Sequence, residues 1–530
     1  IMGAPVYIER RDNTKQAVQA GTTDHGTKNK NLKNPEAGKI PSFPGDFELL
    51  KLTMTSPNMV ANVMDLKSAW SDLNIYEDVF ANCLTGNIQI VDGVGLMESV
   101  PIIGEETINI HVRTKGIVRE RDTGANTIPG PFQGSESEGI INLKMRVTKL
   151  SDIVKLNEGI ITYKLHLVSE EFIINLKSKV MKSSLNPGTL EPQRISTIVK
   201  SLYTQFFKRG RIAKKIFIEP TKNPTSLVIP NYPPFKAFNF LASRAVSAGE
   251  HAVGSSFLFY ETIKGFFFVS LETLMAGGGM GYSTVAGMRG SPIELVFTAP
   301  EDPVKETYVI QPKRLGAQSD EATNVAVEMT AVDSYSFSSN FDVLQNLSKG
   351  MYSNRLLTHD LVRMKYDTLD FNLLEPTGEQ TKVDEKGGYT EVLEFLTQAA
   401  DAKNFSDSFT HLGTGKLSTE KQDALGSPES VMSFYPSNFA HDIRFKEDLG
   451  SRGVKGQVKS NLNIIPNRVE QWMQSRMVQS QQLNNIKLNI RAPGMSTRTV
   501  GDLIEFKETG KNSENFKIDK IAEIINSRKN

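Results

Sequence analysis

The sequence predicts a multidomain α+β protein, with two antiparallel β domains, the first a β-barrel or strongly curved sheet, and an intervening mixed α/β module. Three patterns predict it. Period-two alternation recurs across residues 46–184, two apolar-striped helices and a tight hairpin occupy 185–300, and alternation returns after 300 and again in 461–530. At 530 residues the chain is long enough for several cores.

Residues 1–45 are rich in Gly, Pro, Asn, Thr and Lys without a sustained period, and read as a flexible or partner-ordered arm. Phe47 and Leu49 then open a strand within Asp46–Thr55. Asn62–Phe80, with Val63, Leu66, Trp70, Leu73 and Phe80, mixes loop and short-helix signals. Ile88-Gln89-Ile90 is a strand that Asp92-Gly93-Val94-Gly95 turns. Three clearer strands follow: Ile108, Ile110, Val112; Ile141, Leu143, Met145, Val147; and Tyr163, Leu165, Leu167 each alternate with polar residues. His166 falls on the polar side of the last. Residues 46–184 therefore form the first β domain, as a barrel or a strongly curved sheet. Alternation is the firm part of that reading, because period two does not encode closure.

Arg194–Phe207 carries an apolar stripe of Ile195, Ile198, Val199, Leu202 and Phe206 and reads as a core-packing helix. Asn231-Tyr232-Pro233-Pro234 breaks the chain before a second helix bearing Phe235, Phe238, Leu241, Ala242 and Ala245. Phe257–Tyr260 and Phe266–Val269 are strands close enough for a hairpin through Glu261–Gly265. These elements make 185–300 the mixed α/β module. In 301–375, Tyr308-Val309-Ile310, the Val325, Val327, Met329 pattern and Arg363–Tyr366 begin a second β domain. Residues 376–460, polar with scattered apolar groups such as Phe395 and Phe434, are a long loop-rich insertion. Residues 461–530 complete the second domain with a helix and antiparallel strands. Val469, Trp472, Met473, Met477 and Leu483 keep a helical rhythm. Ile486, Leu488 and Ile490 share a predicted buried face, and Leu503–Phe506 is a last strand after Gly501-Asp502.

Chemistry-bearing patterns are weak. The 61 basic and 60 acidic side chains give a net charge of +1, which argues against a dedicated nucleic-acid site. The single cysteine, Cys83, rules out an intrachain disulfide framework and reads as a small apolar residue without an adjacent base. The first residues lack the apolar core of a classical signal peptide, and no apolar run reaches membrane-spanning length. Gly277-Gly278-Gly279-Met280-Gly281 invites a phosphate-cradle reading but lacks an evident following helix. Gly413-Thr414-Gly415-Lys416 has Thr410 and Leu417 where a phosphate loop needs Gly and Ser or Thr. His359-Asp360 and His441-Asp442 are adjacent pairs whose side chains diverge. Glu170-Glu171 is an acidic pair of the kind a glycosidase needs, without a visible apolar pocket. The expectation is a non-enzyme: no catalytic, cofactor-binding or metal residue is assigned.

With this layout in hand, three segments carry a resemblance: Phe47-Glu48-Leu49-Leu50-Lys51-Leu52, Phe266-Phe267-Phe268-Val269-Ser270-Leu271, and Leu488-Asn489-Ile490-Arg491-Ala492-Pro493-Gly494 followed by Gly501-Asp502-Leu503-Ile504-Glu505-Phe506. Through them residues 46–530 resemble the central baseplate hub family of T4-like contractile-tailed bacteriophages. The resemblance implies two tube-type β domains per chain and a homotrimer that makes a pseudo-sixfold ring. It further implies a tail tube protein on one side, a trimeric central spike on the other, other baseplate proteins as neighbours, and a place in the virion tail baseplate after assembly in the host cytoplasm. The arm at 1–45 and the insertion at 376–460 depart from the shorter family pattern. The alternatives are a hub that also carries cell-wall hydrolase activity, or an unrelated secreted or surface β-domain protein.

Overall fold

The computed structural model describes residues 5–9, 45–57, 63–99, 102–114, 140–157, 159–183, 193–207, 214–221, 227–248, 255–275, 281–283, 294–298, 305–310, 331–339, 343–350, 353–360, 365–372, 432–436, 473, 476, 487–494 and 498–508. The described fold is mostly β, with few helices.

Eight strands build the first sheet: β1 (Pro5–Glu9), β2 (Phe47–Thr55), β3 (Met64–Asp65), β4 (Trp70–Tyr76), β5 (Thr85–Asp92), β6 (Thr107–Thr114), β7 (Ile140–Asn157) and β8 (Ile160–Ser169). They lie in the order β1-β4-β5-β8-β7-β6-β2-β3, and every pair is antiparallel. Alternation decides the inner face. Ile108 and Ile110 from β6, Leu143 and Met145 from β7, and Leu165 and Leu167 from β8 all enter one core with Ile88, Ile90 and Leu52. The sheet curls strongly. Phe47 of β2 and Trp70 of β4 are five strand steps apart in the order, about 24 Å if flat, yet their ring centroids are 6.4 Å apart. The ladder nevertheless ends at β1 and β3, so the described strands form a half-barrel rather than a closed one.

Two local expectations change. Within the stretch read as an arm, Pro5–Glu9 is an edge strand paired with β4. Within Asn62–Phe80, the mixed signals resolve into β3 and β4. A register shift between Trp70 and Asp72 places the buried apolar residues at Trp70, Leu73 and Ile75, a spacing that breaks period two and imitates a helix.

Helices α1 (Leu96–Ser99) and α2 (Glu170–Lys177) follow β5 and β8; α3 (Ile195–Phe206), α4 (Pro234–Ala242) and α5 (Leu271–Met275) come later. Strands β9 (Val180–Ser183), β10 (Ile216–Ile218), β11 (Val228–Tyr232), β12 (Phe257–Thr262), β13 (Gly265–Ser270), β14 (Gly281–Ser283) and β15 (Glu294–Thr298) divide into two sheets. One is the β9–β11 pair. The other is mixed, in the order β12-β13-β10-β15-β14, with β10 parallel to both neighbours. Its alternating residues feed two cores. Ile216, Ile218, Phe257, Phe259, Phe266 and Phe268 meet the stripes of α3 and α4, while Phe217, Tyr260, Phe267 and Val269 form a second cluster on the other side. A sheet covered on both faces reads as continuous apolar sequence, which accounts for Phe266-Phe267-Phe268-Val269. Stacked rings such as Phe238–Phe259, 4.2 Å between centroids, tie α4 to β12. Gly265, at φ +136°, closes the β12–β13 hairpin. A Cβ there would sit 2.5 Å from the Lys215 carbonyl oxygen.

Beyond these lie β16 (Lys305–Ile310), β17 (Ser334–Ser339), β18 (Ser353–Asp360), β19 (Lys365–Asn372), β20 (Met432–Pro436), β21 (Lys487–Arg491) and β22 (Leu503–Glu508). Among the described residues, β21 pairs with β17 and β22 with β16. The described pairings are three small sheets, and β16–β22 and β18–β20 are parallel. Leu488 and Ile490 of β21, read as members of a buried face, are half-buried, and stand opposite Phe337 and Tyr335 in the register with β17. Most of the expected helix at 466–483 and of the insertion at 376–460 lies outside the described residues.

Core depth sets the cost of truncation. Leu165→Ala, deep in the first core, should cost about 2–5 kcal/mol, and Ile490→Ala less than half of that. Urea unfolding followed by tryptophan fluorescence, which samples the buried Trp70, checks the order.

Candidate assembly interface

The longest strand leaves its neighbour behind. β6 pairs with β7 only as far as Arg146, opposite Thr107, and the Val147 N–H then donates to the Glu106 carbonyl at 3.0 Å. From Thr148 to Asn157 the β7–β8 hairpin runs on, and among the described residues no strand pairs with the outer edge of β7. The side chain of Glu106 ends the β6 side firmly. Its carboxylate accepts the N–H groups of Ile103 at 2.9 Å and Gly104 at 2.8 Å. Arg146 adds a bond from its guanidinium to the Glu105 carbonyl at 2.9 Å.

The projecting part is twisted by register shifts at Val147/Lys149, Ser151/Val154 and Lys155/Asn157, with Asp152 in the left-handed region at φ +54°. These shifts turn apolar residues of both parities outward: Ile153 is 52% exposed, Val154 50%, Leu156 59% and Ile160 36%. Inside the hairpin, Ser151 Oγ meets His166 Nε2 at 2.8 Å and Thr162 Oγ1 donates to the Val154 carbonyl at 3.3 Å. An open strand edge that also carries exposed aliphatic side chains offers both backbone groups and apolar area to another chain.

The root of the hairpin is welded to the mixed sheet by a buried carboxylate. Glu261 of β12 accepts the Ser169 hydroxyl at 2.6 Å, from the end of β8, and the Leu84 N–H at 2.9 Å, just before β5. Lys214 Nζ bridges Glu261 and Glu171, the latter at 2.7 Å. Burial pushes the Glu261 carboxyl above its usual range, and the Lys214 ammonium offsets part of that. Burial works against the ammonium too, but the two carboxylates prevail and hold its proton more tightly than usual. Asn82 Nδ2 adds bonds to the Phe259 carbonyl at 2.6 Å and to Asn239 Oδ1 at 2.9 Å. Cys83 lies beside this joint, packed against the α3–α4 core. Burial, with Glu261 nearby, pushes its thiol up to about 12.

A second carboxylate, Glu219, is sealed inside the mixed sheet. It accepts the Ser270 N–H at 2.7 Å, the Ser270 and Thr273 hydroxyls at 3.1 and 2.9 Å, and the Ser247 hydroxyl. It fixes the end of β13 and the start of α5. Burial dominates its donors and raises its carboxyl to about 7.

The weak sequence motifs do not converge. Glu170 pairs with Lys144 at 2.9 Å while Glu171 pairs with Lys214, so the acidic neighbours serve two separate ion pairs. His166 bonds Ser151, His359 sits in β18, and His441 lies outside the described residues. So do Gly277–Met280 and Gly413–Lys416; Gly281 opens β14. Among the described residues no three His, Cys, Asp or Glu side chains are grouped so that they could hold a metal ion, and no helix is long and apolar enough to cross a membrane. The hairpin tip went unread in the sequence because its bulges hide the alternation. The usable signal was Ile153, Val154 and Leu156 just before Asn157-Glu158-Gly159.

No protein-family model matches the chain, and no curated protein matches it in sequence. Among solved structures it is similar to phage tail proteins. A tail protein from Neisseria meningitidis MC58 aligns at 9% identity and TM-score 0.32, over 67% of this chain and 77% of that one. The 43 kDa tail protein of prophage MuSo2 from Shewanella oneidensis aligns at 9% and 0.29, over 61% and 67%. A PdpA–VgrG complex from Francisella aligns at 8% and 0.28, over 62% of this chain and 38% of that one.

The Glu219 site has a pH signature. Its carboxyl is raised in the folded chain from an ordinary 4.5 to about 7, so its contribution to stability is fully present below about pH 4.5 and is lost as pH rises through about 7. Glu219→Gln should flatten the fall in stability across that window, measured by thermal unfolding at successive pH values.

Proposed function

We propose that the chain is a structural baseplate hub adaptor of a contractile phage tail. In this reading it assembles as a homotrimer whose two tube-type β domains per chain, 46–184 and 301–375 completed by 461–530, make a ring of six similar sheets. One face of the ring receives the hexameric tail tube and the other the trimeric central spike. The mixed module at 185–300 holds the two β regions together, and no covalent chemistry is involved.

The observation that carries the reading is the open edge of β7 on a curled antiparallel sheet, with Ile153, Val154 and Leu156 exposed beside it. A sheet of this shape joins its neighbours by strand addition, in which main-chain bonds supply affinity and the flanking side chains supply register. A repeated, non-self-complementary contact of that kind closes into a ring when its rotation divides a full turn, as the homotrimer of this reading requires. The resemblance of the three quoted segments to baseplate hub proteins supports the same reading.

The test is a double substitution at the tip, Ile153→Asp with Leu156→Asp. Both side chains are largely exposed, so the fold should be retained within about 0.5 kcal/mol per site. Light scattering coupled to size exclusion, with negative-stain imaging, should show rings of three chains for the natural sequence and monomers for the variant. A trimer of undiminished strength in the variant would remove the hairpin from the interface. A natural chain that stays monomeric without rings at every concentration would count against the hub reading itself.

A further inference from the structure

A short C-terminal segment, 498–502, meets a buried acid just past β4. Val500 packs on the second aromatic cluster of the mixed sheet, among Phe217, Tyr260, Phe267, Val269 and Leu274. Beside it Glu77, 3% exposed and just past the end of β4, accepts three bonds from two directions. Oε1 takes the Ile263 N–H at 2.6 Å, from the β12–β13 turn. Oε2 takes the Thr499 hydroxyl at 2.9 Å and the Val500 N–H at 3.1 Å. Asp502 accepts the Thr499 N–H at 3.2 Å and lies 3.7 Å from Lys264 Nζ. Gly501 is left-handed at φ +92°, and a Cβ there would stand 2.9 Å from the Tyr260 hydroxyl. At the other end, Arg498 donates to the Pro493 carbonyl, and Gly45 comes against Pro493 and Gly494.

We propose that residues 498–502 are a strap whose seating on Glu77 is the condition for the C-terminal strand pairings, β21 with β17 and β22 with β16. The reason is the dependence of each part on the other. Without the strap, Glu77 keeps one donor for a carboxylate shut away from water, which is costly. Without Glu77, the strap loses two of the bonds that hold it in place, and β22 begins one residue after Asp502. Strands β21 and β22 belong to different small sheets, so the strap is the shared element through which both are positioned on the first sheet and the mixed sheet. It works within one chain and stands whether or not rings form.

Hydrogen exchange of the full chain, read by mass spectrometry, tests this with Glu77→Gln and Thr499→Val. Seating predicts exchange about tenfold faster or more in Lys305–Ile310, Ser334–Ser339, Lys487–Arg491 and Leu503–Glu508, with Ile140–Ser169 keeping its protection. Unchanged exchange in the four C-terminal segments would overturn the proposal. So would an equal loss of protection in β7 and β8, which would mark general destabilisation. If Glu77→Gln does not fold, Thr499→Val, which removes a single hydroxyl, decides between the same outcomes.

Discussion

A carboxylate taken out of water must be met by donors, and this chain sets that requirement at its joints. Glu261 draws its donors from Ser169, Leu84 and Lys214, which belong to the end of β8, the approach to β5 and the approach to β10. Glu77 draws its own from the β12–β13 turn and from the C-terminal strap. Apolar contact is tolerant of small sliding movements; a buried carboxylate with fixed donors is not. The first sheet and the mixed sheet therefore meet in one register, and the projecting hairpin has a rigid base.

The same molecule treats its strand edges in two ways. Two carbonyls of β12 are met internally: Asn82 donates to that of Phe259 at 2.6 Å and Arg476 to that of Phe257 at 3.2 Å, while Arg476 also reaches the Ala242 carbonyl at the end of α4 at 3.0 Å. The outer edge of β7 beyond Val147 is held open by the turn that Glu106 caps, and bulges there expose aliphatic side chains. The edge is uncovered and carries exposed Lys149, Asp152 and Lys155 beside its aliphatic residues, so a strand added to it would meet charges that set register as well as apolar area. That contrast sets the β7 edge apart as the surface on which the proposed assembly rests.

Much of the first sheet was legible in the residues. Ile108, Ile110 and Val112, then Leu143, Met145 and Val147, then Tyr163, Leu165 and Leu167 announced both their strands and their buried face, because a strand with one wet side must alternate. The stripe of α3 was as plain, for the equivalent reason at a period of 3.6. Where the backbone departs from its period, reading failed. The shift beside Trp70 made a strand look helical, and the shifts from Val147 to Asn157 concealed the candidate interface. Pairing partners were also hidden: β22 alternates as an antiparallel strand would, yet it runs parallel to β16, since side-chain period is the same in both arrangements.

Where the backbone keeps its period, the sequence by itself determined which stretches extend, which coil, and which side of each faces inward, since those follow from local periodicity and burial. It also limited the chemistry, through one cysteine, balanced charge and scattered histidines. Only the tertiary structure decided that the first sheet curls until Phe47 reaches Trp70, that β7 outruns β6, and that Glu77 and Thr499, distant in the chain, share a hydrogen bond. Those are contacts between segments far apart in sequence, and no local pattern encodes which donor a buried carboxylate will find.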